Sequence, residues 1–262
     1  MNDQFLKMDL KEPLSVLHDK VRDVLSLELS AEHLEKFEQY TLLLLQRNEQ
    51  MNLTAITDPA EIVIKHYLDS LVFVKWIMHY YPNGQIVIAD LGTGAGFPGI
   101  PIKILLPQIK VVLVDALAKR IHFLQEVCDS LGLKVETCHA RAEDIGRSKA
   151  YRQRFDITVA RAVAELPVLL EYATPLLKVG GRFIAAKGID PENEITLAKN
   201  ALRILNCEVE HVEKYSLAEG ADNRSLIIVK KILNTPAQYP RQAGKPKKTP
   251  LSNHPAEMIK ND

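Results

Sequence analysis

The sequence predicts an α/β protein, a seven-stranded, Rossmann-like, doubly wound sheet behind an N-terminal helical extension. Three observations carry that expectation. From Ile86 onward, short β-branched runs alternate with helix-length segments, the pattern of a parallel sheet covered on both faces. The first run, Ile86–Asp90, leads into the glycine turn Gly92-Thr-Gly-Ala-Gly-Phe-Pro-Gly99. Pro98 and Pro101 suit the first turn of a following helix, where a missing N–H forfeits nothing. The last two strands, Cys207–Tyr215 and Ser225–Ile232, follow one another around Gly220 as an antiparallel pair.

Residues 1–83 read as helices. Ser30 is placed to cap a helix carrying Leu34, Phe37, Leu44 and Leu45. Asp58-Pro59 opens another that runs through Ile62, Ile64, Leu68, Val72 and Trp76 until Asn83-Gly84 stops it. Between them Asn52 and Thr54 suit local caps better than other polar contacts. Within the core, residues 84–233, the reading is strand Val111–Asp115, helix Ala118–Leu131, and strands Val135–Cys138 and Phe155–Ala160. Helix Leu166–Leu177 then ends at Gly180-Gly181, before strand Arg182–Lys187 and helix Pro191–Leu205. Residues 234–262 form a basic tail in which Pro236, Pro240, Pro246 and Pro250 exclude a regular helix, leaving an extended surface arm or disorder.

Composition narrows the classes. Nearly half the 262 residues are apolar, enough for a large core. The longest aliphatic stretch, Leu42–Leu45, is far too short to span a bilayer, and the first thirty residues hold no continuous apolar run, so neither export nor membrane insertion is expected. Cys128, Cys138 and Cys207 lack metal or disulfide spacing, so the expectation is a cytoplasmic protein without metal or membrane association, acting as a monomer. The 33 basic residues balance the 33 acidic ones, yet Arg241–Lys248 holds Arg241, Lys245, Lys247 and Lys248 and no acid.

The glycine turn reads as a nucleotide-type cradle. Gly94-Ala-Gly-Phe-Pro-Gly99 also satisfies the dinucleotide pattern, but a pyrophosphate is opposed by a carboxylate, Asp90, two residues ahead of Gly92. S-adenosylmethionine, with its cationic sulfur and ammonium, reverses that sign. This favours the class I S-adenosylmethionine methyltransferase variant of the fold, with a dinucleotide site and a purely structural turn as alternatives.

In such a sheet, ligands sit beyond the carboxyl ends of the strands. Asp115 ends the second strand and suits either both ribose hydroxyls or a helix cap. After the third strand, Ala142 and Glu143 offer a backbone amide and a carboxylate to an adenine edge, or Glu143 or Asp144 caps a helix. Arg161 ends the fourth strand, within reach of a guanine O6 or a phosphate, or of a neighbouring carboxylate. Lys119, Arg120 and Lys187 are further candidates at that edge for substrate RNA or a cofactor carboxylate. The chain lacks an Asn/Asp-Pro-Pro-aromatic segment for exocyclic amines and a Pro-Cys pair for pyrimidine carbons. A ring nitrogen with a free lone pair, such as guanine N7, needs neither.

Asp90-Leu-Gly-Thr-Gly-Ala-Gly-Phe-Pro-Gly-Ile, taken with Asn52-Leu-Thr-Ala-Ile, His66-Tyr-Leu-Asp-Ser-Leu, Arg161-Ala-Val and Pro240-Arg-Gln-Ala-Gly-Lys-Pro-Lys-Lys-Thr-Pro-Leu, resembles the bacterial RsmG (GidB) ribosomal RNA methyltransferases. The resemblance covers roughly residues 25–251. It implies S-adenosylmethionine-dependent methylation of N7 of one guanine in small-subunit rRNA, free or within the 30S particle. It also places Gly92, Phe97, Ala142-Glu143 and Arg161 at family cofactor positions and Asp115 at the acidic one. Thr93, Gly94 and Gly96 complete the expected cofactor contacts, with Arg161 positioning the substrate and no general base. Arg224, Lys119, Arg120, Lys187 and the four tail cations are the expected RNA contacts. Deleting the chain after Tyr239 is then expected to weaken RNA binding and leave cofactor binding alone. The alternatives are a methyltransferase of another RNA, a protein or a small molecule, and a non-catalytic RNA-binding module.

Overall fold

The computed structural model describes residues 8–218 and 221–252. Two amphipathic helices come first, α1 (Lys11–Leu25) and α2 (Ala31–Met51). Ser30 caps α2 as its sequence position predicts. Its hydroxyl accepts the His33 N–H at 3.3 Å, and the His33 ring accepts the Ser30 N–H at 3.2 Å. Asp58 caps α3 (Pro59–Ile62) by accepting the Glu61 N–H at 2.9 Å. One continuous helix is expected from there, but a π-helical segment, Val63–Leu68, intervenes before α4 (Asp69–Tyr80). Such insertions are common beside functional sites because they re-aim side chains. Here Tyr67 is buried and His66 is half-buried.

The strands are β1 (Val87–Leu91), β2 (Lys110–Asp115), β3 (Glu136–His139), β4 (Phe155–Arg161), β5 (Leu177–Lys187), β6 (Cys207–Ala218) and β7 (Ala221–Lys231). They form one seven-stranded sheet in the order β3-β2-β1-β4-β5-β7-β6. Pairs β1–β4, β2–β3 and β4–β5 are parallel, while β7 runs antiparallel to both β5 and β6. The predicted antiparallel ending is present. Its turn at Gly220 lies outside the described residues.

The chain divides into two compact units. The first runs to Gln85 and resumes over Thr93–His139, taking in α5 (Gly99–Leu105) and α6 (Ala118–Ser130). Phe37, Tyr40, Leu44, Tyr67 and Phe73 are buried there, as are Val111–Val114 of β2. Lys103 is buried on α5, and its ammonium donates to the Pro107 and Ile109 carbonyls at 2.7 Å each, tying the helix to the approach of β2. Burial holds its pKa down.

The second unit comprises Ile86–Gly92 and the chain from Ala140, with α7 (Ala142–Arg147), α8 (Leu166–Ala173), α9 (Pro191–Ile204) and α10 (Lys245–Lys248). Two expectations are corrected here. The helix predicted over Leu166–Leu177 stops at Ala173, and Leu177 through Gly180-Gly181 belongs to β5. Phe155 pairs with Leu177, but Ile157 pairs with Arg182, so the glycines absorb a register shift rather than stop a helix. Gly180 takes φ +83°, and a Cβ on Gly181 would stand 2.9 Å from the Asp156 carbonyl. Lys231, fully buried, pins the same turn by donating to the Thr174 and Leu177 carbonyls at 2.9 and 2.7 Å.

The second concerns the tail, expected as an extended surface arm or disorder, which from Asn234 to Ser252 is ordered, anchored on the second unit and holds one short helical turn. The Arg152 guanidinium donates to the Tyr239 and Thr235 carbonyls at 2.7 and 2.9 Å, and Arg147 donates to the Pro240 carbonyl at 2.9 Å. Proline removes a backbone donor but keeps its acceptor, and arginines of the same unit supply the donors. Gly244, at φ +81°, then opens the single turn α10, with Pro246 buried beneath it.

Candidate active site

In the first unit the glycine loop is built by backbone bonds. The Gly96 and Phe97 N–H groups both donate to the Thr93 carbonyl, at 2.9 and 3.0 Å, and the buried Thr93 donates its own N–H to Val114 at 3.1 Å. Gly94 and Gly96 take φ +62° and +108°. At Gly96 a side chain is excluded twice over, because a Cβ would stand 2.6 Å from both the Tyr40 hydroxyl and Ile100 Cδ1. That hydroxyl donates to the Ala95 carbonyl and so holds the turn from behind. Phe97 stacks on His66 at 4.4 Å and on Tyr40 at 5.5 Å.

His66 is fixed in turn by Thr54, whose hydroxyl lies 2.8 Å from Nε2. Asn52 caps α2 in the left-handed region, as expected. Thr54 does more than the local capping predicted for it: besides accepting the Ile56 N–H at 3.0 Å, it holds His66.

Asp115 is 4% exposed at the end of β2. One oxygen accepts the Leu117 N–H at 2.9 Å, and the other accepts the Gly94 N–H at 3.0 Å and Arg120 Nη1 at 3.3 Å. It is therefore bonded directly to the glycine loop. Of the roughly four lone-pair sites of a carboxylate, these three contacts use three, which leaves room for a further donor. Lys119 is exposed and reaches the Met51 carbonyl at 3.3 Å.

In the second unit Asp90 is fully buried near the end of β1. Gly92 follows at φ +67°, and a Cβ there would stand 2.9 Å from Val163. Arg161 closes β4, and the next residue, Ala162, is held at φ +55°, backbone strain of the kind found where a turn is shaped for function. Arg161, Lys187, Glu194, Asn223 and Arg224 line a cavity of about 330 Å³. Lys187 pairs there with Glu194 at 2.9 Å and donates to the Ala164 carbonyl at 2.8 Å.

Ala142 and Glu143 open α7. The Glu143 carboxylate, expected at an adenine edge or as a cap, accepts the Gly244 N–H of the tail at 2.8 Å and acts on the Tyr172 hydroxyl. Burial first, then this carboxylate, pushes the Tyr172 phenol up to about 12. Beside it on α8, Glu171 is paired with Arg241 at 2.6 Å.

The cations read as RNA contacts thus fall into three groups. Lys187 and Arg241 are held in ion pairs and Arg120 leans on Asp115, whereas Lys119, Lys245, Lys247 and Lys248 are exposed. Arg224 is half-buried. Sequence reasoning singled out neither Glu171 nor Tyr172, which look like ordinary residues of an apolar helix. An acid and a phenol inside the otherwise apolar run Leu166–Ala173 were the available signal.

A family model described as GidB, rRNA small subunit methyltransferase G, matches residues 33–226. The chain is 49% identical over 243 residues to the Ribosomal RNA small subunit methyltransferase G of Desulfitobacterium hafniense, covering 92% of this chain and 99% of that protein. It is 48% identical over 225 residues to the protein of the same name from Acetivibrio thermocellus, covering 86% and 91%. Among solved structures, the Burkholderia thailandensis 1,6-didemethyltoxoflavin-N1-methyltransferase shares the fold, at TM-score 0.50 and 14% identity over 79% of this chain and 93% of that one. With the matched region running from α2 into β7, and so taking in the glycine loop and the ends of β1 to β5, the chain belongs to the GidB family of small-subunit rRNA methyltransferases.

Proposed function

We infer that this protein is the S-adenosylmethionine-dependent methyltransferase that modifies N7 of a guanine in small-subunit rRNA. Membership of the GidB family across residues 33–226 is the observation that carries this reading. The residues fit the cofactor: the glycine turn presents backbone without side chains at Gly92, Gly94 and Gly96, and buried carboxylates, Asp90 and Asp115, stand at the ends of β1 and β2.

When bound, S-adenosylmethionine supplies an electrophilic methyl group on a cationic sulfur. On this proposal Asp90 favours the cationic end, Gly92, Thr93, Gly94, Gly96 and Phe97 supply backbone approach and a wall, and Asp115 accepts from the ribose hydroxyls. With the Glu143 carboxylate turned to Gly244, the backbone of Ala142-Glu143 is what meets the adenine. Guanine N7 carries no proton at neutral pH, so no side chain has to act as a base. The protein's task is alignment, which by itself contributes several kcal/mol to such a displacement. Arg161, which lines the cavity, positions the base.

We further propose that a monomer acts in the cytoplasm on rRNA or on an assembling 30S particle, with Lys119, Lys245, Lys247 and Lys248 meeting phosphates. The test is to map methyl groups on small-subunit rRNA from a strain lacking and then regaining this protein. One guanine is expected to lose and recover its N7 methyl. Methylation of a carbon, an exocyclic amine or protein would overturn the reading.

A further inference from the structure

Helix α7 carries two sets of contacts that the sequence keeps a hundred residues apart. Its first two residues are Ala142 and Glu143, proposed above to meet the adenine. The helix also holds the tail: Glu143 Oε1 accepts the Gly244 N–H at 2.8 Å, and Arg147 Nε donates to the Pro240 carbonyl at 2.9 Å. Gly146 lets Pro240 approach so closely that a Cβ there would stand 2.9 Å from the proline ring. Beside α7, Glu171 is fully buried and accepts the Arg241 backbone N–H at 2.7 Å and its guanidinium at 2.6 to 3.1 Å.

Beyond these anchors, Gly244 turns the chain into α10. Pro246 points inward, and Lys245, Lys247 and Lys248 are exposed. Three lysines on one short turn, with its proline buried, make a surface suited to a polyanion backbone rather than to an apolar partner. The lysines are placed by the same contacts that hold α7. A six-residue helix pinned at Glu143, Gly146 and Arg147 cannot shift at its first turn without disturbing Gly244 or Pro240.

We propose that Tyr239–Thr249 is a phosphate-binding strap for rRNA whose seating is coupled through Glu143 and α7 to cofactor binding, so that each ligand strengthens the binding of the other. The proposal rests on the function inferred above and adds a linkage to it. Arg241 and Glu171 act as positioning residues, and the three lysines make the contact. Reciprocity follows from thermodynamics: whatever factor the cofactor adds to RNA affinity, RNA adds to cofactor affinity.

The experiment uses the full chain, S-adenosylhomocysteine as the cofactor probe and transcribed small-subunit rRNA. Three readouts are taken: rRNA affinity across a salt series with and without S-adenosylhomocysteine, its calorimetric affinity, and hydrogen exchange over residues 239–249. In the wild type, S-adenosylhomocysteine should raise rRNA affinity about five-fold or more and slow exchange in the strap. Arg241→Met should abolish that gain, and loss of three phosphate contacts should reduce the salt slope by about 2. Arg241→Lys should restore part of both.

A strap that merely stabilises the fold would lower the melting temperature of Arg241→Met and leave its salt slope and the five-fold gain intact, which overturns the proposal. So does unchanged wild-type exchange on saturation with S-adenosylhomocysteine, a measurement that needs no variant to fold. Failure of the functional reading looks different: S-adenosylhomocysteine would not bind at all, or no rRNA methyl would form.

Discussion

Arg241 closes around the carboxylate of Glu171, donating its backbone N–H at 2.7 Å and guanidinium contacts as short as 2.6 Å to a side chain with no solvent exposure. A basic tail residue that the sequence offers as an RNA contact thus neutralises a buried acid. Removing one partner of such a pair leaves an uncompensated charge. Arg241→Ala is expected to lower unfolding stability by about 3–5 kcal/mol in urea titrations. The double variant Glu171→Leu/Arg241→Met should recover much of that loss. An additive double variant would show that the pair is not the reason.

The same contact revises the expected result of truncation. Deletion after Tyr239 removes Arg241 from Glu171 and Gly244 from Glu143, so it cannot be confined to RNA binding. The truncated protein should show a lower melting temperature and weaker calorimetric affinity for S-adenosylhomocysteine, together with weaker rRNA binding.

Asp115 offers a cleaner test of the cofactor assignment. Asp115→Asn keeps the shape, and its amide oxygen can still accept one of the N–H groups of Gly94 and Leu117, but the charge is gone. Charge-assisted bonds to ligand hydroxyls are worth about 1.5–3 kcal/mol, so S-adenosylhomocysteine affinity should fall about ten-fold or more. An unchanged affinity would remove Asp115 from the site.

Gly96→Ala meets two obstacles, a φ of +108° and the Tyr40 hydroxyl with Ile100 at 2.6 Å. A destabilisation of at least about 2 kcal/mol is expected. Adding Tyr40→Phe removes one clash but leaves the backbone strain, so thermal melts should show partial rescue only.

Lys231 makes stability depend on alkaline pH. Burial lowers its pKa from 10.5 to about 8. Below about pH 8 the ammonium is charged in both folded and unfolded chains, and burying that charge is a standing cost. Between about pH 8 and 10.5 the unfolded chain binds more protons, so this group's contribution to stability rises with pH across that window, by at most about 3 kcal/mol. Lys231→Met should flatten the rise, measured as the difference between wild-type and variant urea midpoints at pH 7.5 and 9.5.

Much of the architecture was legible because it depends on local periodicity and caps. Ser30 and Asp58 cap the helices they were expected to cap, and β2, β4 and the antiparallel pair β6–β7 lie where short apolar runs place them. The misreadings share a cause. Gly180-Gly181 has the composition of a helix stop, but a register shift against β4 claims it for β5. The π-helical segment interrupts a run whose apolar spacing suits an ordinary helix.

The sequence by itself determined the chemistry on offer. A carboxylate ahead of a glycine turn, acids at Asp115 and Glu143, and an arginine at Arg161 are residue types at spacings, and spacing along a strand-turn-helix unit is local. Only the tertiary structure decided which of these groups are already engaged. Glu143 is drawn to Gly244 and Arg241 to Glu171 by contacts 101 and 70 residues apart, and those pairings depend on burial, which raises the cost of an unpaired charge and is set by the packing of the whole unit. The glycine turn's place in the chain was therefore readable in advance, while the anchoring of the basic tail was not.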